Sequence, residues 1–343
     1  MNKQRIRGKN RDEPRARSRE DGTSLIELMI AMTLGLLVVG AMTSIFINNS
    51  QARRELDKSA QQLENGRYAI QLLRDEISQA GFYDALAAVP GGVTTASPCS
   101  ESLTEWKASM GIAVEGVNGG SFPCVSSPKS NTGMIFVQRA STAFTTLADR
   151  GAAYLQVSLC GEQYVSTAPD SQFKLKTPPA GTDVKIPVPE PVVFNLQDVD
   201  CKTTRLAPVR QYLRRIFFID RNNVGADGIP TLKRVQFGAN QTMGNAEALV
   251  EGIDDMHFEY AIDTDANGSP DLYSEAPSGA QLPDIVGVRV WLIARAIEPT
   301  PGYTDGKTYK LGTKADYTPA DRFKRHVYST YIEVIHPVAR RTK

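Results

Sequence analysis

From Thr23 to Ala52 there are thirty residues, and Glu27 alone is charged. The apolar core, TSLIELMIAMTLGLLVVGAMTSIFI, is longer than the roughly 7–15 residues of a cleavable secretory core and long enough for a span of about 20. No A-x-A site follows it. Beyond Arg53 and Arg54 the pattern turns amphipathic, with Leu56, Leu63, Ile70, Leu73 and Ile77 at helical spacing. No proline lies between Pro14 and Pro90. The pattern predicts one helix from about Thr23 to about Ala80, stopped near Gly81 and roughly 85 Å long. Its first half is apolar all round; its second half needs a cover for one face.

Past residue 85 the period changes. Residues 86–131 are rich in Gly, Ser and Pro and read as loop. Strands are expected at 134–138, 153–159, 191–196, 211–219, 231–237, 247–262, 284–296 and 324–336, where β-branched and aromatic residues cluster. The proline-rich stretch 177–191 reads as a loop between strands. The expected fold class is α+β, a long N-terminal helix with its first half in a membrane, packed on a β-rich C-terminal head.

Composition adds little: 343 residues, 41% hydrophobic, 22% charged, net charge +1. That charge gives no case for a nucleic-acid partner. The distribution is more telling. Residues 1–21 hold eight Lys/Arg against four acids, directly before the apolar run. A basic head in that place predicts a cytoplasmic N-terminus and a single-pass membrane anchor. Cys99, Cys124, Cys160 and Cys201 then fall on the outer side, where disulfides persist. Three pairings are open. Cys99–Cys124 and Cys160–Cys201 close the shorter loops and are favoured; free thiols are the alternative.

Candidate chemistry is sparse. The motifs G-x-S-x-G, H-E-x-x-H and the phosphate loop are missing. His257, His326 and His336 sit in strand-like runs and read as ordinary histidines. The pair Asp75-Glu76 reads as a solvated helix face. One cluster is ligand-like. In DTDANGSPD, Asp263, Asp265, Asn267 and Asp271 hold positions 1, 3, 5 and 9 of an EF-hand-type loop, with Gly268 at 6. Ser269 would offer its carbonyl at position 7. Ser274 stands at 12, and Glu275 falls one residue late. The loop is a candidate structural Ca²⁺ site; a polar turn is the alternative. No cofactor is required, and the chain reads as a non-enzyme.

The stretch Gly22-Thr23-Ser24-Leu25-Ile26-Glu27, behind a short basic leader, resembles the type IV prepilin signal. The resemblance implies cleavage between Gly22 and Thr23 by a prepilin peptidase, then methylation of the new N-terminus. Thr23 departs from the Phe or Met usual there. Glu27 would pair with the N-terminal amine of a neighbouring subunit, which explains a carboxylate in an apolar run. The run Arg67-Tyr68-Ala69, Leu73, Asp75 and Ala80-Gly81-Phe82 is similar to PilW-type minor pilins. The implied organisation is a leader (1–22), a membrane and assembly segment (23–52), an amphipathic half-helix (53–85) and a head (86–343). The implied function is a low-copy minor pilin at or near the pilus tip. It would help initiate assembly with other minor and major pilins and the inner-membrane assembly machinery, and could hold a tip adhesin. It would leave the inner membrane for the pilus and cell surface. A J-type pseudopilin of type II secretion, and a membrane-tethered periplasmic enzyme or binding protein, are the alternatives.

Overall fold

A computed structural model of the chain describes residue 22 and residues 24–90, 93–145, 152–168, 170–177, 194–237 and 242–341. Helix α1 runs unbroken from Leu25 to Ser78. The chain divides into two compact units, Met1–Glu55 and Leu56–Lys343, with the division inside this helix.

In the first unit every helical residue from Leu25 to Asn49 is exposed. The backbone is satisfied by i→i−4 bonding. The hydroxyls of Thr33 and Thr43 donate back to the carbonyls of Met29 (3.0 Å) and Val39 (2.8 Å). Both hydroxyls are thus satisfied within the helix, as hydrocarbon requires.

In the second unit α1 buries Gln62, Gly66, Ala69, Leu73 and Ile77. This face differs from the expected leucine stripe: Leu56 is 70% exposed and Leu63 39%. A seven-residue repeat drifts by about 20° per heptad around a straight helix, so the early leucines fall off the face that Leu73 and Ile77 share. Small residues take their place. Tyr328 donates its hydroxyl to the Leu63 carbonyl (3.1 Å). The turn that follows the helix closes at Gly81 (φ 73°), whose amide donates to the Gln138 carbonyl (2.9 Å) and whose carbonyl accepts from Arg340 (2.9 Å).

The head has two antiparallel sheets. In the first, β1 (Val114–Asn118), β2 (Gly133–Ala140), β5 (Val209–Asp220), β3 (Tyr154–Val157) and β4 (Phe173–Lys176) follow in that spatial order. The twelve-residue β5 also pairs with β6 (Thr231–Gln236), which pairs with β7 (Glu247–Glu251). The second sheet is ordered β11 (Arg325–Glu333), β10 (Ile285–Arg295), β8 (Ile253–Ile262), β9 (Leu272–Ser274). The main core joins Ala69, Leu73 and Ile77 to Ile135 and Val137 of the first sheet and Met256, Phe258, Val288 and Val290 of the second.

Several expectations need correction. The run 247–262 is two strands in two sheets. Gly252 (φ 73°) switches between them, and a Cβ there would lie 2.6 Å from the Arg295 carbonyl. The 324–336 run ends as strand at Glu333, and Ile335–Arg341 forms helix α4, so His336 is helical; the short helix α3 spans Gly161–Tyr164. The 86–131 region contains helix α2 (Leu103–Ala108) and β1. Strands β4 and β9 lie outside the expected runs. Of 191–196 only 194–196 is described, and it is not strand although Phe194 and Leu196 are buried; 178–191 lies outside the described residues. The disulfides join Cys99 to Cys124 and Cys160 to Cys201. The Cys99–Cys124 segment is also held by Arg214 of β5. Its guanidinium lies over Trp106 and Phe136 (4.8 Å each) and donates to the carbonyls of Ala96 (2.6 Å) and Ser97 (3.1 Å). Burial pulls its pKa down to about 10.

Glu76 is not solvated. It meets Arg139 of β2 (3.4 Å) and Arg215 of β5 (2.5 Å), with all three side chains 11–14% exposed. One helical carboxylate therefore pairs with two guanidiniums on neighbouring strands. Its removal leaves both cations poorly hydrated. Glu76→Ala should cost about 3 kcal/mol in denaturant unfolding. Asp75→Ala, one residue away and exposed, should stay within about 0.5 kcal/mol. Equal effects would return Glu76 to the solvated face.

Candidate functional site

Two places carry the residues singled out by sequence. The first is the start of α1. Gly22 precedes the helix, and Thr23 lies outside the described residues. The amides of Glu27 and Leu28 donate to the Ser24 carbonyl (2.9 and 3.1 Å), so Glu27 stands in the first turn. A carboxylate there is favoured by the unpaired amides of the helix N-terminus. Among the described residues α1 is the one helix long and apolar enough to cross a membrane.

The second place is the loop between β8 and β9. One carboxylate oxygen each from Asp263, Asp265 and Asp271 lies within 4.8 Å of the others. Asp263, at the end of β8, is buried; the other two are exposed. The loop folds on itself through Asx-type bonds. The Gly268 amide donates to Asp263 Oδ2 (2.8 Å), and the Asn267 amide to Asp263 Oδ1 (3.3 Å) and Asp265 Oδ1 (3.2 Å). The Ser269 amide donates to Asn267 Oδ1 (2.7 Å). The Thr264 amide and hydroxyl both donate to Asp271 Oδ2 (2.7 Å). Gly268 has φ 86°.

These bonds set the charge. Burial raises the Asp263 carboxyl, but the Gly268 and Asn267 amides and nearby Arg341 outweigh it, and its pKa lies below the ordinary value. Thr264 lowers Asp271 likewise. The loop thus presents ionised hard oxygens, the donor set suited to Ca²⁺. Arg341 Nη1 lies 3.4 Å from Asp263 Oδ2 and competes for that carboxylate. Glu275 is not brought to the loop. It faces the buried His257 (Nε2–Oε1 3.5 Å). Sequence could not show Arg341, which arrives from α4, 78 residues away.

The remaining histidines form no catalytic constellation among the described residues. His257 is buried beside Trp291, and burial lowers its pKa. His326 stacks edge-on against Tyr328. His336 packs on Phe82.

A family model described as type IV pilus-assembly protein W matches residues 216–335, from mid-β5 to the start of α4. Residues 216–335 are PilW-like. The matched stretch contains the second sheet and the acidic loop but not the helix motifs at 65–84. No curated protein matches the chain. A type IV-like pilin from Thermus thermophilus aligns at 10% identity over 83% of this chain and 97% of that one, with a TM-score of 0.33. The PilW-like stretch and the long apolar helix are two separate features of one chain.

Proposed function

We propose that this PilW-like chain is a minor pilin of the type IV pilus. It enters the filament at low copy, at or near the tip, and helps to initiate assembly with other minor and major pilins. There it can support a tip adhesin. It acts structurally and not as an enzyme. The observation that carries this reading is α1 itself. One unbroken helix has an exposed apolar first half with a single acid, and a second half built into the head.

In this reading the leader 1–22 is removed by a prepilin peptidase on the cytoplasmic side of the inner membrane. Glu27 then pairs with the free amine at Thr23 of a neighbouring subunit. Dry surroundings make each group costly alone and useful together. Leu56, Leu63 and Tyr68, exposed on the second half of α1, would face neighbouring helices in the filament. The acidic loop would hold a structural Ca²⁺ through Asp263, Asp265, Asn267 and Asp271, with the Ser269 carbonyl completing the set. Competition from Arg341 and the lack of a position-12 glutamate predict weak affinity, with Kd on the order of 10⁻⁴–10⁻³ M.

Three outcomes are expected. Mass spectrometry of the protein in sheared pili should find a chain beginning at Thr23; recovery of Met1 there would remove the pilin reading. Glu27→Val should insert normally, since the helix becomes more apolar. Its recovery in pili should fall about tenfold, the effect of about 1.4 kcal/mol of lost pairing. Normal incorporation would exclude the pairing role. Finally, millimolar calcium should raise the melting temperature of the full chain in detergent by about 2 °C over a chelator control. Asp265→Ala should abolish that rise, and equal melting of the wild type in both conditions would leave a plain polar turn.

A further inference from the structure

Strand β1 closes one side of the first sheet. The Gln138 amide donates to the Ala113 carbonyl and the Gly119 amide to the Thr132 carbonyl. Residues Ala113, Glu115, Val117 and Gly119 therefore direct their backbone groups to β2. By the alternation of an antiparallel ladder, Val114, Gly116 and Asn118 direct theirs outward. No strand covers that edge among the described residues.

The edge is not simply open to solvent. A groove of about 490 Å³ runs along Glu115–Asn118, with its other wall formed by Glu275, Pro277 and Leu282 beyond β9. The volume falls in the about 300–1,000 Å³ range of ligand clefts. Asn118 ties the two walls together, donating to the carbonyls of Phe258 (2.8 Å) and Glu275 (3.1 Å). Gly116, at the middle of the edge strand, is demanded by the core behind it: a Cβ there would sit 1.9 Å from Tyr260 Oη and 2.6 Å from the Met134 carbonyl. Charge in the groove has one sign. Glu115 stands on one wall and Glu275 on the other, and no lysine or arginine lines it. The Glu115 carboxylate is held in place by the Ala96 amide (2.7 Å). The Glu275 side chain is 37% exposed at the rim.

An exposed strand edge is a template for another strand, and proteins usually blunt it with lysine, proline or a cover. Here it is instead recessed, carries glycine and is flanked by acids. We propose that the β1 edge accepts an extended segment of a partner chain. The segment would pair its backbone with Val114, Gly116 and Asn118 and place a lysine or arginine between Glu115 and Glu275. Main-chain bonding supplies affinity and the two carboxylates supply selection, the usual division of labour in strand addition. The groove stands on its own geometry, whether or not the chain enters a pilus.

The test uses the purified full chain in detergent and three pools of capped hexapeptides, randomised except for a central Lys, Glu or Ser. The Lys pool should be retained about fivefold better than the Glu pool. A Lys pool N-methylated at alternate backbone amides should lose retention. Glu275→Lys should reverse the preference between the Lys and Glu pools, because its side chain lies at the rim, where it faces the His257 imidazole. Glu101→Lys, an exposed acid elsewhere, should leave it unchanged. Retention of none of the pools at millimolar peptide, equal retention of Lys and Glu pools, indifference to N-methylation, or indifference to Glu275→Lys would each overturn the proposal.

Discussion

Everything in this protein depends on one unbroken ladder of backbone hydrogen bonds along α1. A helix satisfies its own peptide groups, so the same backbone can lie in hydrocarbon and then continue as part of a folded head. Side chains decide which environment each half suits. The first half exposes apolar residues on every side, with its threonine hydroxyls turned back onto the helix. The second half buries a narrow face of Gly66, Ala69, Leu73 and Ile77. No proline or loop interrupts the helix between the two halves.

Within the head, buried charges hold distant segments where they belong. Glu76 joins the helix to β2 and β5 through two arginines. Arg214 joins β5 to the loop that the Cys99–Cys124 bond also pins. Arg325 meets Asp254, Asp305 and Asp321 and so fastens the 300–321 segment against β8 and β11. Such clusters add little net stability compared with well-packed apolar groups, yet breaking one partner is costly. Their effect is to make each attachment specific.

The places open to a partner lie at the margins of this framework. Sheet edges and connecting loops carry few apolar contacts, so their residues can vary in chemistry without loss of the core. The acidic β8–β9 loop and the recessed β1 edge both occur where one sheet ends. They differ in kind: the loop gathers carboxylates on one short segment, whereas the groove draws one acid from β1 of the first sheet and the other from the segment that follows β9 of the second.

The sequence by itself determined the elements whose signal is local. The unbroken helix, its apolar first half, the solitary Glu27, the longer strands and the spacing of acids at 263–271 all follow from residues near one another in the chain. Pairing of sequence-neighbouring cysteines was legible for the same reason, since the shorter loops close at lower entropy. Tertiary structure alone decided the rest. Which face of α1 is buried depends on the sheets it meets, and these favour Gly66 and Ala69 over Leu56 and Leu63. The 247–262 run divides because Gly252 carries the chain from one sheet to the other. Glu76 looks solvated until Arg139 and Arg215 arrive from strands far along the chain, and Arg341 reaches Asp263 only after α4 folds back. For the helix face, Glu76 and Arg341 the deciding partner is distant in sequence, so periodicity and local propensity contain no trace of it.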